Sequence, residues 1–218
     1  MRIVIAGGHG QIALRLERLL TARGHEAAGV IRNPDQGKDL RDAGAEPVVL
    51  DLESSSAEEV AEALRGADAV VFAAGAGPDS GAERKETVDR GAAVLFADAA
   101  ELAGVRRYVV VSSMGADPDH PGDEVFDAYL RAKGAADAYV RSRTGLDWTI
   151  LRPGMLTNDA GTGTVLLTAS TGRGPVPRDD VAAALLELLE TPATAGLTLE
   201  LISGNVPVSV AVKDIAGN

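Results

Sequence analysis

A length of 218 residues with 45% hydrophobic content suits one large domain, and an aromatic content of only 3% leaves Val, Leu, Ile and Ala to fill the core. The absence of cysteine excludes disulfides and thiolate metal sites, and the three histidines show no ligand spacing, so we expect no metal. A net charge of −11 without a basic run disfavours nucleic acid and anionic membranes as partners. With no membrane-length apolar stretch and no signal peptide, we expect a cytoplasmic protein.

The first predicted elements form a strand, a glycine-rich turn and a helix. The apolar run Arg2–Ala6 predicts a buried strand, and Gln11–Arg23 has the periodicity of a helix. Gly8 permits a tight turn, Gly10 allows backbone to approach a pyrophosphate, and Ala13 is small enough for close packing of the helix on the strand. The free N–H groups and positive dipole end of the helix favour phosphate. The predicted contacts of this dinucleotide-binding turn are Gly7, Gly8, His9, Gly10, Gln11 and Ile12.

Strands and helices alternate along the rest of the chain. The predicted strands are Arg2–Ala6, Glu26–Ile31, Glu46–Leu50, Ala69–Phe72, Tyr108–Ser112, Trp148–Leu151 and Leu199–Ile202. The predicted helices are Gln11–Arg23, Pro34–Ala43, Ala57–Leu64, Ala82–Ala103, Phe126–Thr144 and Asp179–Leu189. Such alternation indicates βαβ units, so we predict a single-domain α/β fold of the Rossmann type, a doubly wound parallel sheet whose strand order begins 3-2-1-4-5-6.

Glycines and irregular stretches mark the predicted boundaries. Five glycines stand just past a helix, where a left-handed residue belongs: Gly24, Gly44, Gly66, Gly104 and Gly145. The long irregular stretches Ala74–Gly81, Gly115–Glu124 and Thr157–Pro177 all follow strand ends, where an open α/β sheet binds its ligand. The third is glycine-rich, and we predict a mobile lid within a small C-terminal substrate portion at about 154–218 of the 1–218 dinucleotide-binding domain.

The residues after the second strand indicate which dinucleotide binds. An acid at this position accepts hydrogen bonds from the ribose hydroxyls of NAD, whereas an arginine accommodates a 2′-phosphate. The strand ends in Val30-Ile31-Arg32-Asn33 without an acid, so Arg32 predicts that NADP(H) is preferred over NAD(H). The alternative is that Arg32 is only a solvated loop charge.

Two further strand ends complete the predicted cofactor site. Asp51 and Leu52 follow the third strand at the adenine edge, where the carboxylate can accept from the adenine amino group and Leu52 can cover the ring. The alternative is that Asp51 only caps the next segment. Ala73, Ala74 and Gly75 end the fourth strand, and their small size lets backbone pass close to the ribose and phosphates, although a plain tight turn would look identical.

Taken in order, these motifs resemble the atypical branch of the short-chain dehydrogenase/reductase superfamily, which includes NmrA-like, epimerase-like and biliverdin-reductase-B-like proteins. The motifs are Gly7-Gly8-His9-Gly10-Gln11-Ile12-Ala13, Val30-Ile31-Arg32, Asp51-Leu52, Ala73-Ala74-Gly75, Val111-Ser112-Ser113, Tyr129-x-x-x-Lys133, Leu151-Arg152-Pro153-Gly154 and Arg178-Asp179-Asp180-Val181-Ala182. The resemblance covers essentially the whole chain and is specific for fold and cofactor class, but not for reaction.

The resemblance implies catalytic roles for three residues. Tyr129 is the general acid/base, Lys133 supports it and binds the nicotinamide ribose, and Ser113 orients a substrate carbonyl. Ser112 is the less favoured serine and a predicted cofactor contact, and Pro153 and Gly154 shape the backbone that meets the carboxamide. The spacing agrees, because residues four apart share a helix face and an ammonium stabilises a nearby phenolate. A chance Tyr–Lys pair with Tyr129 on the surface is the alternative.

We expect an NADP(H)-dependent oxidoreductase that transfers hydride to a small carbonyl, quinone or flavin-like acceptor, working as a monomer or homodimer on a small-molecule substrate. One alternative is a non-catalytic NADP(H)-binding regulator of the NmrA-like kind. Another is an epimerase-like enzyme on a small substrate, because the part of the chain after Gly154 is too short to form the large substrate domain of sugar-nucleotide epimerases.

Overall fold

A computed structural model describes residues 1–77 and 79–217 of the chain. Pro78, within the predicted loop 74–81, and Asn218 lie outside the described residues. The strands are β1 (Arg2–Ala6), β2 (Glu26–Ile31), β3 (Glu46–Val49), β4 (Ala69–Phe72), β5 (Arg107–Val111), β6 (Asp147–Pro153), β7 (Met155–Thr157), β8 (Thr164–Thr168), β9 (Pro175–Pro177), β10 (Leu197–Ser203) and β11 (Val206–Pro207).

The helices alternate with these strands. They are α1 (Gln11–Ala22), α2 (Gly37–Asp42), α3 (Ala57–Leu64), α4 (Ala82–Arg84), α5 (Ala93–Leu102), α6 (Val125–Ser142), α7 (Arg178–Glu190) and α8 (Val208–Ala216). A 3₁₀ turn (Pro34–Gln36) precedes α2, another (Pro192–Thr194) follows α7, and a π-helical segment (Lys85–Ala92) joins α4 to α5. No helix in the described ranges is long and apolar enough to cross a membrane.

The main sheet confirms the predicted doubly wound topology. Its strand order is β3-β2-β1-β4-β5-β6-β10-β8-β11, and all neighbours from β3 to β10 run parallel. The strands β8 and β11 add an antiparallel edge, and β7 pairs with β9 in a separate parallel ribbon. The order reverses between β1 and β4, and such a switch point opens a crevice at the carboxyl ends of the strands.

Two hydrophobic clusters lie on opposite faces of the sheet because successive strand residues point to opposite sides. In β1, Ile3 and Ile5 join the cluster that includes residues of α1, α7 and α8, whereas Val4 and Ala6 join the cluster that includes residues of α3, α5 and α6. Helices therefore cover both faces, and β1 is fully buried at these four positions.

Three local predictions were wrong. The stretch Thr157–Pro177 is not irregular throughout, because Thr164–Thr168 alternates in burial and forms β8, which pairs with β10. Helix α8, at Val208–Ala216, was missed entirely. Gly145 does not adopt a positive φ, unlike the other four predicted helix-terminal glycines, and it lies three residues beyond the last residue of α6, Ser142. Whether the segment serves as a lid stays a prediction.

Candidate active site

An open cleft of about 470 Å³ lies along the carboxyl ends of β1, β2, β3 and β4. It contains most of the predicted cofactor residues from these four strand ends. Its lining is Gly7, His9, Gly10, Val30, Ile31, Arg32, Asn33, Gln36, Leu50, Asp51, Leu52, Glu53, Ala73, Ala74, Gly75, Arg84, Val88 and Ala92. Its position at the switch point is where a doubly wound sheet binds a dinucleotide.

The glycine-rich turn is a cradle that side chains would fill. Gly7 has φ +78°, and a Cβ there would lie 2.7 Å from Ala74 Cα. A Cβ on Gly10 would lie 3.0 Å from the Gly7 carbonyl oxygen, which already accepts the Gly10 N–H. The residue with the left-handed turn conformation is Gly7 rather than Gly8, which corrects the sequence interpretation. Gly8 instead packs its backbone on β2, because its Cβ would lie 2.6 Å from Gly29 Cα and its N–H donates to Val30.

Helix α1 presents an uncapped N-terminus to this turn. Its N-cap is Gly10, which provides no side-chain cap, and the first turn carries no acidic residue. The N–H groups of Gln11 and Ile12 lack intrahelical acceptors, as in every first helical turn. Ala13 is fully buried, so the helix approaches the sheet closely. This donor set at the positive end of a helix fits a pyrophosphate.

The end of the cleft that follows β2 and β3, which is the predicted ribose end, carries an ion-pair cluster. Arg32 Nη1 and Arg84 Nη2 each lie 3.0 Å from Glu53 Oε2, and the Thr87 hydroxyl donates to Glu53 Oε1 over 2.8 Å. The hydrogen bond from Arg84 is the largest influence that lowers the pKa of Glu53. Nearby, Asp51 Oδ1 accepts the backbone N–H of Glu53, so Asp51 orders this loop as well as lining the cleft. His9 Nε2 lies 2.7 Å from Asp39 Oδ2.

Next to the cleft residue Gly75, a buried ion pair joins the π-helical segment to α6. Lys133 Nζ lies 3.5 Å from Asp89 Oδ1 and donates to the Val111 carbonyl over 3.1 Å. Asp89 Oδ2 accepts the N–H of Ala76, and its Oδ1 would lie 3.2 Å from a Cβ on Gly75. Asp89 therefore connects Lys133 to the loop that follows β4.

Tyr129 lies half-buried one turn before Lys133 on α6. The Lys85 ammonium lies 5.7 Å from the centre of its ring and donates to the Gly77 carbonyl. The exposed Phe126 ring lies 5.8 Å from the Tyr129 ring, centre to centre. Ser113, at the end of β5, directs its hydroxyl to the Met114 carbonyl. Tyr129 thus has both an aromatic ring and a cation as neighbours.

A second buried polar cluster contains Ser112. The Ser112 hydroxyl and Arg152 Nε both donate to Asp137 Oδ2 over 2.9 Å. Burial raises the pKa of Asp137, against the opposing influence of Arg152 and Ser112. The hydroxyl of Ser112 is therefore engaged by the buried Asp137 carboxylate.

The backbone after Arg152 is closely packed. Pro153 accepts the Met114 N–H, and Gly154 donates to Leu201 while its Cβ would lie 2.2 Å from the Gly174 carbonyl oxygen. Gly154 therefore marks a close approach between two backbone segments beside the end of β6.

Sequence reasoning missed Glu53, Arg84, Lys85 and Asp89. A signal existed for the last two, since Lys85, Asp89 and the buried Val88 and Ala92 lie on the core-facing side of an otherwise apolar helical pattern. Charged residues on a buried face usually have partners, and here the partners are Gly77 and Lys133. Glu53 lies in a turn and Arg84 ends α4, a short helix without buried residues, so no buried periodicity would single them out.

Fold, turn and cleft together define a dinucleotide-binding protein of the Rossmann type. Residues 7–192 match the model of a family described as NAD(P)H-binding, and the chain belongs to that family. The predicted relation to atypical short-chain dehydrogenases/reductases of the epimerase-like and biliverdin-reductase-like kinds is confirmed.

Known proteins resemble the chain over nearly its full length. It is 36% identical to a Bacillus subtilis protein named uncharacterized sugar epimerase YhfK, over 99% of this chain and 100% of that protein. A putative NAD-dependent epimerase/dehydratase from Bacillus halodurans is 37% identical, with a TM-score of 0.91 and coverage of 98% of this chain and 99% of the other. ChuY, an anaerobillin reductase from Escherichia coli O157:H7, is 27% identical, with a TM-score of 0.79 and coverage of 94% and 98%.

Proposed function

We propose that the protein is an NADP(H)-dependent reductase that transfers hydride to a small carbonyl, quinone or flavin-like acceptor. The observation that carries the proposal is the placement of Tyr129 beside Lys85, whose ammonium is bonded to Gly77 in the loop that follows the cleft residue Gly75. A tyrosine near a dinucleotide cleft is suited to donate a proton to a reduced acceptor. The reductase named among the similar structures supports the same class of reaction.

The cradle fits the cofactor in shape and charge. Gly7 and Gly10 leave room for a pyrophosphate on the N-terminus of α1, and Arg32 supplies positive charge at the ribose end. When bound, a reduced nicotinamide supplies the hydride. Ala73, Ala74 and Gly75 line the cleft at its inner side, where their small side chains permit close approach.

Lys133 is proposed to hold the nicotinamide ribose. A lysine ammonium has three donors, and the contacts to Val111 and Asp89 account for two directions, which leaves one for a ribose hydroxyl. The ion pair with Asp89 fixes the ammonium in place before any ligand arrives. The Pro153–Gly154 backbone and Ser112 are proposed to border the carboxamide end of the same pocket.

Tyr129 is proposed to donate the proton that balances hydride transfer, and Ser113 to orient the acceptor oxygen by a hydrogen bond. Positive charge from Lys85 stabilises the phenolate that remains after proton donation. Segment 157–177 is proposed to cover the acceptor. We further propose that the protein is cytoplasmic, monomeric or homodimeric, and without nucleic-acid or membrane partners.

An epimerase-like reaction on a small substrate is the second candidate, favoured by the names of the relatives from the two Bacillus species. It would use the same tyrosine and cofactor but return the hydride to the substrate. A nucleotide-sugar substrate is disfavoured. The elements after Gly154 are β7–β11, α7 and α8, and several of them already complete the sheet and its hydrophobic cover.

Steady-state oxidation of NADPH with a panel of acceptors tests the proposal. We expect turnover with at least one quinone, flavin or small carbonyl, with Tyr129→Phe strongly reduced. Cofactor binding without turnover of any acceptor would contradict the reductase proposal and favour the regulatory alternative. Conversion of a small chiral substrate without net oxidation of NADPH would favour the epimerase.

A further inference from the structure

Two arginines from different loops converge on a single carboxylate oxygen. Arg32 follows β2 and Arg84 ends α4, and both donate to Glu53 Oε2 at 3.0 Å. All three side chains line the ribose end of the cleft. The Glu53 side chain is only 24% exposed although it lies in a surface turn. An anion is therefore already held at the point where the two guanidinium groups meet.

The arrangement suits a phosphate better than it suits one carboxylate. A phosphate monoester carries more negative charge and three acceptor oxygens, whereas the two arginines here share one oxygen of a group with a single charge. The hydrogen bond from Arg84 lowers the pKa of Glu53, so the carboxylate stays ionised at neutral pH. Asp51 and Asp89 also act on this cluster, because their negative charges raise the pKa of Arg84.

Resting on the proposed preference for NADP(H), we propose that Glu53 is a built-in competitor for the cofactor's 2′-phosphate, held between Arg32 and Arg84 where that phosphate binds. Arg84 is then a second phosphate ligand beside Arg32. Binding requires the Glu53 side chain to rotate away, a rotamer change that leaves the loop backbone in place. Its carboxylate thus weakens the binding of a 2′-phosphate rather than assisting it.

The opposite role for an acid at this end of the cleft is hydrogen bonding to the ribose hydroxyls, as in NAD-binding proteins. The contacts of Glu53 argue against that role. Its Oε2 takes both arginines and its Oε1 takes the Thr87 hydroxyl. The two roles predict opposite effects of the same substitution.

Binding of two cofactor fragments separates these roles without any turnover. Isothermal titration calorimetry with adenosine 2′,5′-bisphosphate and with adenosine 5′-monophosphate isolates the contribution of the 2′-phosphate. We expect Glu53→Gln to tighten bisphosphate binding by about 3–10-fold and Arg84→Ala to weaken it by about tenfold or more, on the scale of a hydrogen bond to a charged group. Binding of the monophosphate should stay unchanged in both variants.

An exposed ion pair outside the cleft provides the matched controls. Arg65 and Glu62 lie 2.9 Å apart at the end of α3, so Glu62→Gln and Arg65→Ala change the same charges without touching the cluster. Neither control should alter the binding of either fragment. Melting temperatures of all four variants establish that they are folded.

Each outcome decides the inference. Unchanged or weaker bisphosphate binding in Glu53→Gln overturns the competitor role, and weaker monophosphate binding identifies Glu53 as a ribose ligand instead. If the parent protein does not distinguish the two fragments, the proposed NADP(H) preference fails. The competitor role then stands only if Glu53→Gln gains that discrimination, and it is overturned if the variant does not.

Discussion

Lys133 and Asp89 form an ion pair that is almost completely buried, with Lys133 Nζ 3.5 Å from Asp89 Oδ1. The pair connects α6 to the π-helical segment, and Asp89 extends the connection to the backbone of Ala76 beside the cofactor cleft. A lysine proposed to bind ribose is thereby part of the packing of the protein. Stability and cofactor binding are expected to be linked at this position.

Lys133→Ala is expected to lower both the stability of the protein and its affinity for the cofactor. Removing one partner of a buried pair leaves an uncompensated charge and costs about 3–5 kcal/mol. Urea unfolding should show this loss, and cofactor affinity and turnover should fall together under conditions where the variant is still folded. The double variant Asp89→Asn/Lys133→Met should recover part of the stability but none of the cofactor affinity. Recovery of both would show that Lys133 acts only through packing.

Tyr129→Phe is expected to lower kcat by about 10²–10⁴-fold, the usual contribution of a general acid, with little change in cofactor affinity. The matched control is Tyr139→Phe on the same helix, because the Tyr139 hydroxyl bonds to Asp98 at 2.6 Å, away from the cleft. Kinetics of both variants with an acceptor of the parent protein provide the measurement. Full activity in Tyr129→Phe would mean that hydride transfer needs no proton from this residue.

Arg32→Ala is expected to remove most of the preference for NADP(H) over NAD(H). The reason is that Arg32 supplies one of the two guanidinium groups at the ribose end. Dissociation constants for the two cofactors, measured by fluorescence, give the preference directly. Equal affinities in the parent protein would identify Arg32 as a loop charge without a role in selection.

Phe126→Ala is expected to raise KM for flat aromatic acceptors. The Phe126 side chain is exposed next to Tyr129, so its ring offers a stacking surface beside the proposed proton donor. Leu102→Ala is the matched control, since Phe126 and Leu102 are both 61% exposed and Leu102 lies at the end of α5. An equal effect of the two substitutions, or none at Phe126, would exclude an acceptor contact there.

Glu17→Gln is expected to stabilise the protein at neutral and alkaline pH. Burial raises the pKa of Glu17 from 4.5 to about 8, and neither carboxyl oxygen has a described hydrogen-bond partner. Between pH 4.5 and about pH 8 the folded state holds a proton that the unfolded state has lost. The free energy of unfolding of the parent protein therefore falls by up to about 1.4 kcal/mol for each unit by which the pH rises. Urea unfolding of both proteins should show a difference that is absent near pH 4 and is complete above pH 8. A constant difference would contradict this account.

The sequence was sufficient for the fold and most of the cofactor cleft because both depend on local patterns. The buried run Ile3–Ala6, the turn at Gly7–Gly10 and the strand end before Arg32 each determine their structure within a few residues. Strand β8 was missed in the sequence because glycines lie on either side of it and its partner β10 is distant along the chain. The ion pairs of Glu53 and Asp89 join residues from separate elements, and only the folded chain brings those partners together.

Isotope transfer tests the proposed reductase most directly. With a carbonyl acceptor, NADPH carrying deuterium at the transferred position of the nicotinamide should pass it to the carbonyl carbon, and mass spectrometry should find one deuterium in each product molecule. With a flavin or quinone acceptor the transferred deuterium exchanges with water, so the loss of deuterium from the nicotinamide of the NADP⁺ that forms is measured instead. NADP⁺ should accumulate in equal amount. An alcohol product without deuterium, NADP⁺ that keeps the label at the transferred position, or a reduced product that forms while NADPH stays undiminished would contradict reduction by hydride transfer.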